Sequence, residues 1–114
     1  MINNKKTEKE FENSVKLVFR KKDIWIAHKG NEWFYADLNE KPIYDARFEY
    51  VWHFFEDIAC AKINGLYCHI NKKGKILYDE RYYIVHHFKN GKSLVKETEK
   101  SKPFYINKNF IRIN

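Results

Sequence analysis

Cysteine is scarce in this chain. Cys60 and Cys68 are its only two, and neither has a Cys-x-x-Cys partner or a histidine at zinc-finger spacing, so no metal site is expected. Glycine is scarce too: Gly30, Gly65, Gly74 and Gly91 are spread among turns, which excludes a glycine-rich loop that could cradle a phosphate. No run approaches the ~18 apolar residues of a membrane span. The amino terminus, Met1-Ile2-Asn3-Asn4-Lys5-Lys6-Thr7-Glu8, has no apolar stretch behind its lysines, so it is not expected to be a secretory signal. These absences lead us to expect a soluble, cytoplasmic protein with no cofactor, no metal and no membrane partner.

Aromatic residues and positive charge are abundant. Aromatics make up 18% of the 114 residues, and each ring can bury a large apolar area, so a single folded domain is expected. Lysine and arginine number 22 against 15 acidic residues, a net charge of +7. That balance favours anionic partners and bears on association rather than on fold.

A shift of 34 residues lays the chain on itself. Val51-Trp52-His53-Phe54 falls on Val85-His86-His87-Phe88, Tyr44-Asp45-Ala46-Arg47-Phe48 on Tyr78-Asp79-Glu80-Arg81-Tyr82, and Asp23-Ile24-Trp25-Ile26-Ala27 on Asp57-Ile58-Ala59-Cys60-Ala61. Three copies follow, 11–44, 45–78 and 79–114, behind a polar tail or cap at 1–10. A unit this short cannot bury its apolar face alone and must stack on its neighbours. Thr7 with Glu10 could cap a short helix carrying Phe11, Val15 and Val18, although Val15 to Phe19 also reads as a strand. Beyond that point the composition is that of strands throughout.

The turns specify the pairing. Asn64-Gly65 is a strong hairpin signal, because a type I′ turn needs positive φ at both central residues. A two-residue loop pairs Ile63 with Leu66, Ala61 with Cys68 and Cys60 with His69, and puts Ala59, Ala61, Ile63, Leu66, Cys68 and Ile70 on one apolar face. Gly30-Asn31 repeats the device, pairing Ala27 with Phe34. We read Trp25, Ala27, Phe34, Ala36 and Leu38 as the counterparts of Ala59, Ala61, Leu66, Cys68 and Ile70. In the last copy Ser93, Val95, Phe104 and Ile106 take these places around a longer polar loop, Thr98 to Lys102, and the core is expected to thin toward this end. The expected fold is all-β: three stacked antiparallel hairpin repeats, solenoid-like or as an open barrel-like sheet.

The stretch Gly65-Leu66-Tyr67-Cys68-His69-Ile70-Asn71-Lys72-Lys73-Gly74-Lys75-Ile76, with Tyr78-Asp79-Glu80-Arg81-Tyr82 and Val85 to Val95, resembles the bacterial WG repeats, also called KWG repeats. That unit runs Gly-x-Trp-Gly-φ-Ile, an Asp-x-x-Gly-Lys turn, Tyr-Asp-x-φ, Phe-x-x-Gly and an Ala-x-Val strand. In this reading Tyr67-Cys68 and Tyr35-Ala36 stand where the family has Trp-Gly. The resemblance implies a β-rich, non-catalytic repeat that mediates interactions.

Several residues are candidates for function. The second hairpin face collects Ile24, Ile26, Trp33 and Tyr35, then Ile58, Tyr67 and His69, then Leu94 and Tyr105. Either the segments Tyr44 to Phe55 and Tyr78 to Phe88 cover it, or a partner does. Trp52, His53, His86 and His87 recur at equivalent positions, and alternation on a strand would aim the adjacent histidines at opposite faces. Asp45 with Arg47, and Asp79 with Arg81, share a strand face and either pair or display Arg47 and Arg81 to an anion. Cys60 opposite His69 is the single nucleophile–base arrangement, with nothing to serve as an oxyanion site. The leading expectation is a non-enzymatic module, monomer or homodimer, that binds another protein through an aromatic surface rimmed by lysines. Binding to nucleic acid through lysine, arginine and stacked rings is the alternative.

Overall fold

The computed structural model describes residues 14–113. The polar tail and the first turns of the capped helix lie outside them, and where that helix would reach Val18 the chain is already a strand. Ten strands follow: β1 (Lys16–Lys21), β2 (Ile24–Lys29), β3 (Glu32–Ala36), β4 (Tyr50–Val51), β5 (Ile58–Ile63), β6 (Leu66–Asn71), β7 (Ile84–Val85), β8 (Lys92–Lys96), β9 (Phe104–Asn107) and β10 (Arg112–Ile113). They form three antiparallel sheets ordered β1-β2-β3, β4-β5-β6 and β10-β9-β8-β7, with no closed barrel. No helix among the described residues is long and apolar enough to cross a membrane. Contacts group the chain into two compact units, Met1–Arg47 and Phe48–Asn114.

The hairpin registers are those the turns dictate. Ala27 pairs with Phe34, and Ile63 with Leu66, Ala61 with Cys68 and Cys60 with His69. Asn64 and Gly65 sit at φ 50° and 78°, whereas at Gly30-Asn31 the glycine alone is left-handed, at 60°. The counterparts need correction by two residues. Because Ala27 faces Phe34 as Ala61 faces Cys68, Phe34 is the equivalent of Cys68, Tyr35 of His69, and Trp33 of Tyr67. Trp33-Phe34, and not Tyr35-Ala36, therefore stands where the repeats that this chain resembles have Trp-Gly. Leu38 falls past the end of β3 and is 52% exposed rather than in the core.

What ends each hairpin is a repeated side-chain turn. Asp37 Oδ1 accepts from the amides of Asn39 and Lys41, Asn71 Oδ1 from Lys73 and Lys75, and Asn107 Oδ1 from Asn109 and Ile111. Short polar side chains close such turns on their own backbone. The turn returns the chain to the strand, bridging Ala36 to Pro42, Ile70 to Ile76 and Ile106 to Arg112. One residue per turn is left-handed: Gly74 at φ 77°, Glu40 at 64° and Phe110 at 63°. A side chain there costs about 1 kcal/mol. Glu40 is exposed, so Glu40→Gly should stabilise the first unit by about 1 kcal/mol, read as a shift in urea midpoint followed by Trp25 and Trp33 fluorescence, while Gly74→Ala should move the second unit the opposite way.

The hairpin face carrying Ile58, Cys60 and His69 is buried from within the second unit. Ile58, Cys60, Tyr82, Val85, Phe88, Val95 and Ile106 form one cluster, packed by Tyr67, Leu77, Tyr78, Phe104 and Phe110. The segment from Tyr78 to Phe88 thus covers the face carrying Cys60 and His69, and the paired amides of Tyr67 and Tyr82, each 2.9 Å from the other's carbonyl, tie it to β6. The core does not thin toward the last copy: Val95 and Ile106 are sealed, and Phe88, Phe104 and Phe110 contribute large rings. Among the described residues, the first unit has a cluster of Ala27, Phe34 and Ala36 with Leu17 and Trp25.

Candidate functional site

A cleft of about 260 Å³ opens on the second unit, lined by Trp52, Phe55, Cys60, Tyr67, Ile84, Val85, His86 and His87. Its walls follow from strand alternation about two sealed valines. Val51 is buried in β4, so Trp52 turns outward; Val85 is buried in β7, so Ile84 and His86 turn outward. Backbone bonds hold both walls, Trp52 donating to the Cys60 carbonyl at 3.1 Å and His86 to that of Leu94 at 3.0 Å. Tyr50, Trp52 and Tyr67 form a ladder with centroid spacings of 4.4 and 5.9 Å. Across from them Phe55 lies 4.4 Å from the His87 ring, and the Lys62 ammonium sits 5.8 Å from the Tyr67 ring. His86 and His87 also border a second, open depression with Lys89, Asn90, Lys92, Leu94 and Tyr105.

Four of the ten expected binding residues meet in the cleft: Trp52, Tyr67, His86 and His87. Both histidines reach it because β7 ends at Val85 and strict alternation ends with it. Trp33 is half-buried and stacks on His28 at 4.4 Å in the first unit. Tyr35, His53 and His69 are corrections, since all three are interior, at 0%, 6% and 0% exposure, and present nothing to a partner. Phe55, Ile84 and Val85 were missed. Alternation about Val85 was the available signal for Ile84.

Arg47 and Arg81 each direct Nη1 to the backbone. Arg47 Nη1 donates to the carbonyls of Tyr44 and Ala46, and Arg81 Nη1 to those of Tyr78, Asp79 and Glu80. Neither pairs with the aspartate two residues before it, because the segment turns there instead of running as a strand. Arg47 also lies 4.3 Å over the Phe34 ring. Each guanidinium closes the turn that begins a Tyr-Asp-x-Arg element. Of the neighbouring carboxylates, Glu56 does more than sit in solvent: it accepts from Gly91 N at 2.9 Å and pairs with Lys108 at 3.0 Å, and Lys108 followed by the Gly91 amide lowers its pKa.

His69 is a structural linchpin. Its Nε2 lies 2.9 Å from the His86 carbonyl, which can only accept, so Nε2 carries the proton and Nδ1 accepts from the Tyr78 hydroxyl at 2.7 Å. The Ser93 hydroxyl donates to the same carbonyl. Burial lowers the His69 pKa to about 4 and pushes that of Cys60 up to about 12, since desolvation disfavours the charged form of each. A protonated thiol opposite an imidazole with both nitrogens engaged lacks the elements of an activated nucleophile. Tyr35 and Tyr44 hold the corresponding places in the first copy, centroids 6.2 Å apart, and there the Tyr44 hydroxyl finds no partner among the described residues.

The repeated Asx turn, the hairpin before it and the covering Tyr-Asp segment after it constitute one unit, and the model of the WG containing repeat matches residues 33–67 and 70–100. The chain belongs to the WG-repeat family. The first of the two WG matches begins at Trp33, in keeping with the corrected alignment, and between them they take in most of the cleft. No curated protein and no solved structure shows a significant match to the chain.

Proposed function

We propose that this WG-repeat chain is a non-enzymatic protein-binding module and that the cleft of Trp52, Phe55, Tyr67 and Ile84 is where a partner segment docks. The observation behind this reading is that Trp52 and Ile84 remain 39% exposed at a concave apolar site. Exposed aromatics at the rim of a pocket are typical anchors of protein contacts. At about 260 Å³ the cleft falls below the ~300 Å³ usual for small-molecule sites, which suits a single bulky side chain.

The test is selection of random dodecapeptides displayed on phage against the immobilised protein and against Trp52→Ala. Enrichment on the wild type that drops at least tenfold on Trp52→Ala is the expected result. Equal enrichment on both proteins would remove the cleft from this role. The +7 charge favours a second reading, nucleic-acid binding, whose signature is affinity for labelled oligonucleotides that falls steeply between about 50 and 200 mM salt. For Arg47 and Arg81, the two arginines of the repeated Tyr-Asp-x-Arg element, that reading is weakened by each having Nη1 engaged on backbone carbonyls.

A further inference from the structure

We propose that the segment docking on this surface is an acidic peptide, which inserts one aromatic or branched aliphatic side chain into the cleft and lays its carboxylates against Lys89 and Lys92. The inference rests on the protein-binding reading above and adds the chemistry of the partner. It starts from the two depressions sharing a wall: His86 and His87 line both, the apolar cleft and the depression that holds Lys89, Asn90 and Lys92. A peptide crossing that ridge meets apolar surface and then positive charge.

The charge there is uncompensated. Among the described residues neither Lys89 nor Lys92 forms an ion pair; Lys92 rests 4.6 Å over the Tyr105 ring. Glu56, the carboxylate that reaches the same Asn90–Gly91 turn, is already committed to Gly91 and Lys108. Lys62 beside Tyr67 and Lys96 beside Tyr83 add two further ammonium groups, also without ion pairs, near the cleft walls. An incoming carboxylate therefore finds Lys89 and Lys92 available, with Glu56 already paired to Lys108, and such complementarity raises both association rate and selectivity. Nucleic acid fits less well. Trp52, Tyr67, His86 and His87 bring rings to the cleft, but the rest of its lining, Phe55, Cys60, Ile84 and Val85, offers the polar edges of a base little to bond, and no arginine is among the lining residues.

The experiment reads the composition of the selected dodecapeptides and then measures binding of one labelled synthetic winner, together with oligo(dT) and oligo(U) 20-mers. Winners should carry a Trp, Phe, Leu or Ile near Asp or Glu. Lys89→Glu with Lys92→Glu should weaken the labelled peptide at least tenfold and abolish its salt dependence, while Ile84→Glu should abolish binding altogether. Ile84 pairs with Lys96 in β7, so Trp52→Ala serves as a second cleft variant, with circular dichroism confirming that each folds. Winners without acidic residues that still need Ile84 and Trp52 would overturn the acidic chemistry and leave the protein-binding reading standing. No enrichment over the cleft variants overturns both. Oligonucleotide binding that competes with the peptide and is lost in the same variants would reassign the surface to nucleic acid.

Discussion

Phe88→Ala should destabilise the second unit by about 3–5 kcal/mol, the range for removing a fully buried phenylalanine from a packed core. Phe88 is 1% exposed and its ring is an edge partner of both His69, at 4.8 Å, and Phe110, at 6.1 Å. It joins the hairpin of the second copy to the aromatic groups of the third. With a net stability of typically 5–15 kcal/mol for a whole protein, such a loss brings the unit close to unfolding. Amide exchange at Val95 and Ile106, which share the cluster, is the direct measurement, and urea unfolding gives the same quantity from the midpoint. Phe55→Ala supplies the contrast, because Phe55 is 39% exposed and its loss should cost well under half as much. Similar exchange rates in the two variants would show that Phe88 is not the centre of this core.

His69 should remain uncharged in the folded protein down to about pH 4 and make stability fall as the solution is acidified. In the unfolded chain it binds a proton near 6.5, whereas in the fold burial delays this to about 4. Between those values the unfolded state holds the extra proton, so acid favours unfolding. The contribution is fully present above pH 6.5, is lost progressively as pH falls through the folded value, and amounts to about 3 kcal/mol at 1.36 kcal/mol per pH unit. Imidazole nitrogen shifts should show an Nε2–H tautomer that does not titrate between pH 7 and 5. Urea midpoints over the same range should fall for the wild type and much less for His69→Phe, which has no proton to take up. A His69 that titrates near 6.5 in the native state would mean that burial does not hold it neutral.

Much of the fold was legible because its turns are two residues long. A two-residue loop leaves one register, so Asn64-Gly65 determines that Cys60 faces His69 and Ala61 faces Cys68. The same reasoning applied to Gly30-Asn31 paired Ala27 with Phe34 correctly, yet the counterparts between copies were placed two residues out. That slip keeps every side chain on its face, and therefore leaves the apolar pattern intact, which is why composition could not expose it. The Asx turns decided it: Asp37, Asn71 and Asn107 end equivalent strands although no common spacing of glycines marks them.

The candidate site was partly legible. Trp52, Tyr67, His86 and His87 stood out as large or polar rings at repeated positions, and they do meet. Tyr35, His53 and His69 stood out for the same reason and are interior. Chemical type alone does not separate a ring that faces a partner from one that faces the next segment, and the Asp-x-Arg pairs misled because a shared strand face was assumed where the chain turns.

Periodicity, turn chemistry and the rarity of cysteine and glycine by themselves determined that this chain is a three-copy antiparallel β-repeat with paired hairpins, since those properties act between residues close in sequence. Tertiary structure alone decided which hairpin face stays open. That depends on how far the segment from Tyr78 to Phe88 reaches across its neighbours: it seals His69 and Cys60 and leaves Trp52 and Ile84 partly exposed, an outcome of packing volumes between residues tens of positions apart.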